Sequence, residues 1–443
     1  MGRIALGILG ALLVSGVARA DWTDRVEGTL RVDFEWAVDT GDGDTQELAL
    51  TFQPELEIEL PAGMELTAIG RLRGDGFDRL EPGAPTEHEV ARWTRRLQIG
   101  NQVEVELREF YLDARIGALG GAFLRLGKQQ VVWGEADGLK LLDVVNPQHF
   151  REFILPAFED SRIPLWTANL EIPIRAMTLQ LLWIPDPTHH ELPEDDARFA
   201  ITSGRLRPKP PAGLKRVQRQ VKRPGKWFED SDAGVRLSGF WKGLDWTLNY
   251  LYQFGDLPVL ARRLPAVPGD PIVLAPEYRR LHLVGGTASK AFGFLTVRGE
   301  LGIALDRHLP VLDVSDADGV ARTADVGWVL GFDWFGFDET LLSLQVFQSW
   351  LPDHRSTMLR KSLDTIVTLV LRRELWNDRL VLEAQLLQSW NDRDGLVRPK
   401  LSWEWRDDTT LSLGFDFFYG DHNGVFGQYD SNDRVWLQVR FSR

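Results

Sequence analysis

The chain has 443 residues, 64 of them acidic against 51 basic, for a formal charge of −13, and it contains no cysteine. The missing cysteines exclude disulfide frameworks, thiolate metal sites, covalent haem attachment and iron–sulfur clusters. The acidic balance argues against a nucleic-acid partner, which needs a basic face for phosphates.

Residues 1–20 read as a secretory signal peptide. Arg3 precedes an apolar run, Ile4–Val17, and Ala18-Arg19-Ala20 gives a small-x-small cleavage site before Asp21. The run is too short to span a bilayer, and no later stretch is apolar enough for a membrane helix. Residues 21–443 are expected to form one domain outside the cytoplasm.

From there the dominant period is two. Leu30, Val32, Phe34 and Trp36 alternate with Arg31, Asp33 and Glu35, and Leu56, Ile58 and Leu60 alternate with Glu55, Glu57 and Glu59. A helix would spread those glutamates around its circumference, whereas a strand places them on one face. Eighteen such strands are predicted: 27–38, 47–60, 64–73, 102–116, 122–132, 164–173, 176–185, 233–242, 244–254, 278–290, 294–306, 325–335, 339–351, 361–373, 379–390, 396–406, 410–420 and 433–441. Their connections alternate between long and mostly short, as in a transmembrane antiparallel β-barrel with short periplasmic turns and long outer loops. Sixteen strands is the alternative count.

The tryptophans agree. Trp36, Trp166, Trp183, Trp328, Trp350 and Trp390 fall next to long loops, and Trp241, Trp246, Trp334, Trp403 and Trp405 next to short turns, all on the apolar parity. Two aromatic belts are what a bilayer with two interfaces demands. The all-β barrel is therefore expected in the outer membrane of a Gram-negative bacterium. Its partners would be membrane lipid, lipopolysaccharide and the barrel-assembly machinery, since the last strand ends on the outward aromatic Phe441.

The connection 133–163 is too apolar for a free loop: Leu139, Leu141, Leu142, Val144, Val145, Phe150, Phe153, Ile154, Leu155 and Phe158 need cover from water. Folding into the lumen supplies it. The predicted constriction consists of Trp133, Glu135, Asp137, Lys140, Asp143, Asn146, Arg151, Glu152, Glu159, Asp160 and Arg162. Facing it, the predicted wall includes Glu35, Glu55, Glu57, Glu59, Arg298 and Glu300, and Glu55–Glu59 beside Glu35 is the one place where a single sign is concentrated. A gap lined by apolar and ionic groups would favour amphipathic or hydrophobic solutes.

The block Gly127–Ile174 also carries a resemblance. Gly127-Lys128-Gln129-Gln130, Trp133-Gly134, the run from Asp143 to Asn146-Pro147 and Pro164 resemble domain-of-unknown-function family 1302 of proteobacterial outer membranes. Leu107-Arg108-Glu109, Trp183-Ile184-Pro185-Asp186 and Phe426-Gly427-Gln428 are weaker echoes. The resemblance implies an outer-membrane protein linked to envelope export of hydrophobic molecules, because such genes often neighbour RND-type exporters.

Loop 186–232 is acidic early and then basic, and Lys215, Arg216, Arg219, Lys222 and Arg223 are the expected contacts for lipopolysaccharide phosphates. No metal or cofactor site is predicted. Asp316, Asp318, Gly319 and Asp325 have partial EF-hand spacing, but Val314 stands at the first ligand position. The eight histidines form no nucleophile or metal pattern, so an enzyme is the weakest reading. A channel is the leading one, and a non-conducting docking partner of an RND-type export system is the alternative.

Overall fold

In the computed structural model, residues 25–77, 80, 90–193, 197–204, 206, 216–221, 223–264, 270–313 and 316–443 are described. The expected signal peptide lies outside them, as do Lys215 and Lys222. Among the described residues no helix is long and apolar enough to cross a membrane.

Eighteen antiparallel strands close into a barrel: β1 (Val26–Asp39), β2 (Thr45–Leu60), β3 (Met64–Asp75), β4 (Val103–Ile116), β5 (Ala122–Gln129), β6 (Leu165–Ile174), β7 (Met177–Ile184), β8 (Asp232–Trp241), β9 (Leu244–Phe254), β10 (Arg280–Phe292), β11 (Leu295–Pro310), β12 (Val320–Phe337), β13 (Thr340–Trp350), β14 (Leu363–Leu375), β15 (Leu380–Ser389), β16 (Asp394–Arg406), β17 (Thr409–Tyr419) and β18 (Arg434–Ser442). Each pairs with its sequence neighbours, and β18 pairs with β1 through Val32↔Phe441 and Trp36↔Leu437. Closure pairs the first strand with the last, so the sheet has no terminal edge strand to expose to hydrocarbon. The count is eighteen, not the alternative sixteen.

The barrel is built inside out. Leu50, Phe52 and Leu248 are exposed on the lipid face, while Asp33, Glu47, Asp416 and Arg434 are buried in the lumen. Trp36, Trp183, Trp350 and Trp390 are exposed towards the long-loop end and Trp241, Trp403 and Trp405 towards the short-turn end, giving the two belts. Short turns are tight: β8 and β9 are joined by Lys242 and Gly243, both at positive φ (49° and 79°). A two-residue turn of this kind matches the strand twist.

Two features lie beyond the eighteen strands. Leu97–Ile99 pairs with the outer end of β4. Outside the barrel, Val259–Arg263, Ile272–Glu277 and Arg216–Gln218 form a small sheet that joins two long loops. Their runs are too short to carry a period.

Candidate functional site

The connection between β5 and β6, residues 130–164, leaves the wall and crosses the lumen. Asn146 pins its two stems together: its side chain accepts from Val131 N (2.7 Å) and donates to Ile163 O (2.9 Å). Trp133 is 1% exposed, donates from Nε1 to Gln180 on β7 (2.8 Å), and covers Gly234 on β8. Glu300 on β11 accepts backbone N–H bonds from Glu135, Ala136 (2.7 Å) and Leu142 (3.2 Å), and Arg298 holds Asp137.

The turn at Gly138 (φ +78°) reaches the far wall, where an added Cβ would lie 2.7 Å from the Gln385 amide on β15. In an eighteen-strand ring β14 and β15 stand opposite β5 and β6, so the segment spans the full width.

On the way back the charges meet the opposite half of the wall. Glu152 pairs with Arg434 (3.0 Å) and Arg73 (3.4 Å), Arg151 with Glu104 (2.9 Å), and Asp160 with Arg31 (3.0 Å) and Arg71. Arg108 donates to the carbonyls of Glu159, Asp160 and Arg162. Burial alone would raise the Asp160 carboxyl, but Arg71, Arg31 and Arg108 hold it well below the usual carboxylate range. Burial, with Arg96 and Arg108 close by, lowers the His149 imidazole to about 3, so it is neutral.

Most apolar residues of the segment pack against the wall, while Ile154, Leu155 and Phe158 also border the cavity. Leu142 and Val145 join a buried cluster with Leu182, Leu251 and Leu283 of the wall, and Leu155 joins another with Leu387, Leu396 and Phe418, with Phe153 against it. Glycines make the room. A Cβ at Gly327 on β12 would come within 2.5 Å of Leu141 Cδ1, and one at Gly302 on β11 within 3.0 Å of Leu142 Cδ2. The lining combines ionic groups with apolar ones, Ile154, Leu155, Phe158, Leu387 and Phe415 among them.

Beside the segment lies a cavity of about 550 Å³, bounded by β1–β4, β15–β18, residues 137–163 and, at its outer end, Val90, Thr94, Arg96 and Glu191. Of the predicted constriction residues, Asp137, Arg151, Glu152, Glu159 and Asp160 line it. Inside the segment Asp143 pairs with Arg162 (2.7 Å) and Lys140 (3.4 Å), and Trp133, Glu135 and Asn146 anchor it. Of the wall residues, Glu35 lines the cavity, whereas Arg298 and Glu300 hold the segment's stem.

Glu55, Glu57 and Glu59 need correction. Register places Glu35 opposite Ala49 but Glu55 opposite Thr29. Six residues of strand, about 20 Å, separate Glu35 from that level, so the four glutamates form no ring.

Several cavity residues escaped the sequence reading: Glu47, Glu104, Glu106, Arg108 and Arg434. Glu47 and Arg434 follow the inward parity of their strands and were legible by counting. Glu104, Glu106 and Arg108 alternate with Val103, Val105 and Leu107 and were legible in the same way, although the ladder slips at Arg108 and the parity differs on its two sides.

Of the predicted lipopolysaccharide contacts, Arg216 and Arg219 lie in or beside the small outer sheet. Arg223 turns back onto the protein, donating to Pro187 O (2.7 Å) and Val90 O (3.1 Å).

Crystal structures share the fold. The outer membrane protein opdK of Pseudomonas aeruginosa is 10% identical, with 95% of this chain and 99% of that one covered at a TM-score of 0.51. OccK2 (OpdF) of the same organism, solved in complex with glucuronate, is 11% identical (95% and 98% covered, TM-score 0.51). OccAB1 of Acinetobacter baumannii is 8% identical (96% and 97%, 0.51). At such identities they speak to the fold alone. No curated protein matches the chain. Residues 80–440, which include the whole lumen-crossing segment, match the family described as "Protein of unknown function (DUF1302)", and the chain belongs to that family.

Proposed function

We propose that the protein is a channel, not an enzyme, in the outer membrane of a Gram-negative bacterium, and that it passes small solutes bearing an ionised group through the cavity beside segment 130–164. The observation that carries this reading is the composition of the cavity wall. Arg31, Arg71, Arg96, Arg398 and Lys400 face it together with Glu35, Glu47, Glu106 and Glu383. A low-dielectric wall studded with fixed charges of both signs replaces part of an ion's hydration shell and rejects apolar molecules. The buried apolar clusters support the same reading, since they fix the segment beside the path.

Single-channel conductance in planar bilayers tests it. The purified barrel is expected to conduct small ions, and removal of residues 139–158 to raise conductance several-fold. A heat-modifiable barrel that never conducts would favour the docking role in an export system instead.

A further inference from the structure

The barrel wall is interrupted between β4 and β6. β5 is eight residues long, and its ladder with β4 ends at Phe110↔Lys128. The next pairing on that side of β4 is Leu97–Ile99 against Val103–Val105. Residues 106–109 have no strand partner there among the described residues. The ladder to β3 slips at the same height, leaving Arg108 as a bulge between Leu107 and Glu109.

The break lies about eight residues above the short turn. That is about 26 Å along the strand and about 20 Å of height at a tilt of ~40°, in the outer half of an apolar band ~25 Å tall.

Backbone groups at that depth need substitutes for the ladder, and here side chains provide them. Lys128 shares the lipid-facing parity of Leu126, yet it is 1% exposed, because its ammonium turns into the break and donates to Leu107 O (2.6 Å) and Thr94 O (3.3 Å). Trp166 Nε1 donates to Trp93 O (3.3 Å), and Asp186 accepts from Trp166 N (3.2 Å) and from the Thr94 hydroxyl.

The seal is one layer thick. Thr94, Glu106 and Arg108 line the cavity, while Trp93, Leu97 and Leu107 are exposed on the outside. Trp93 lies 6.1 Å from the ring of Trp227, an aromatic group of the kind that marks the interface.

We propose that this break is a lateral portal between the cavity and the outer leaflet, used by amphiphiles with an anionic head and a single apolar chain. Arg96 and Arg108 receive the head, the chain lies between β4 and β6 in the hydrocarbon, and residues 90–99 move as the door. This deepens the channel reading and rests on it. A seam held by side-chain hydrogen bonds opens more readily than a continuous ladder, which is why the passage lies here and not at another seam. The Gly127–Gln130 motif thereby acquires a role, supplying the lysine that closes the portal.

The native chain lacks cysteine, so Thr94→Cys/Asp186→Cys yields one disulfide that ties the door to the edge of β6 and β7. The oxidised and reduced forms, reconstituted in phosphatidylcholine vesicles, are irradiated with a diazirine-bearing dodecanoate and the labelled residues mapped by mass spectrometry. The expected result is labelling of the cavity-facing Arg108 in the reduced protein that falls at least fivefold on oxidation and is competed by dodecanoate but not by acetate. Leu248, on a distant part of the lipid face, should be labelled equally in both. Equal labelling of Arg108 in both forms, or none in either, overturns the portal. If the pair fails to give a heat-modifiable barrel, Lys128→Met carries the test: several-fold more labelling of Arg108 supports the portal and no increase overturns it. Conductance of the same samples is expected to be unchanged by oxidation. Its absence from every form overturns the channel reading, whatever the labelling shows.

Discussion

The guanidinium of Arg434, on the strand that closes the barrel, lies 3.0 Å from the carboxylate of Glu152 in the lumen-crossing segment. One residue thus serves both closure and seating. The same guanidinium meets Asp416 at 2.9 Å and Glu47 at 3.7 Å, and Arg73 bridges Glu47 and Glu152 from β3. Removing one partner from such a buried set leaves uncompensated charge, at a cost of about 3–5 kcal/mol. Arg434→Met is expected to lower the temperature at which the folded band converts on unboiled gels, and Arg434→Met/Glu152→Gln to recover part of the loss. An unchanged transition would show that lumen water already neutralises the carboxylates.

The glycine trough under Leu141 and Leu142 gives a gentler way to move the segment. Filling it with Gly302→Leu/Gly327→Leu forces the two leucines out, an overpacking cost of about 1–3 kcal/mol that leaves the strand ladders in place. Single channels of this variant should be larger and noisier than wild type, with the heat shift retained. Identical channel records would mean that the leucines repack without moving the segment.

Charge reversal at the cavity wall should alter selectivity. Lys400 on β16 stands opposite Glu383 on β15, and both face the cavity. Lys400→Glu places two carboxylates side by side, so the reversal potential in a salt gradient should move towards cation preference by several-fold in permeability ratio. An unmoved reversal potential would place the ion path elsewhere.

The outer cations are expected to hold lipopolysaccharide. Replacing Lys215, Arg216, Arg219 and Lys222 with Gln should weaken binding, most at low ionic strength where the charges are least screened. Arg223 is left intact in that variant because it braces Val90 and Pro187. Affinity equal to wild type at low salt would reduce this loop to a solvated surface.

Acid should loosen the outer cap. His189 is stacked on Tyr278 with ring centroids 3.7 Å apart, and burial pushes its imidazole below the ordinary value despite the nearby Asp256. The unfolded loop therefore binds a proton that the packed loop refuses. Stability is complete above about pH 6.5 and falls as pH drops from there towards the lowered native value. Trypsin cleavage in the 186–232 connection should accelerate between pH 7.5 and 5.5, and His189→Phe should flatten that dependence. A wild-type rate indifferent to pH would count against it.

The sequence alone determined the architecture. Side-chain alternation is a local property, so strands, their number and the face each residue presents could be read wherever the backbone stays regular, as along Leu30–Trp36. Burial of ten apolar residues between strands likewise required the 133–163 connection to be covered, and the lumen was the cover available. Partnership across the lumen is a different matter. That Asp160 meets Arg31 and Arg71, or Glu152 meets Arg434, depends on where a segment lands after crossing the whole barrel, and no periodicity encodes that distance.

The same division separates the regular wall from its break. Strand parity puts Glu35 and Glu55 on the polar faces of their strands, but only the β1–β2 register sets their relative height. Above Arg108 the bulge reverses which residues face inward, and a short β5 leaves Leu107 without a ladder partner on that side among the described residues. Both follow from closing eighteen tilted strands of unequal length, a constraint that acts on the assembled barrel and on no stretch of chain by itself. Tertiary structure therefore decided what the sequence left open: which ionic and apolar groups meet at the cavity, where the crossing segment is seated, and a wall break closed by a lysine.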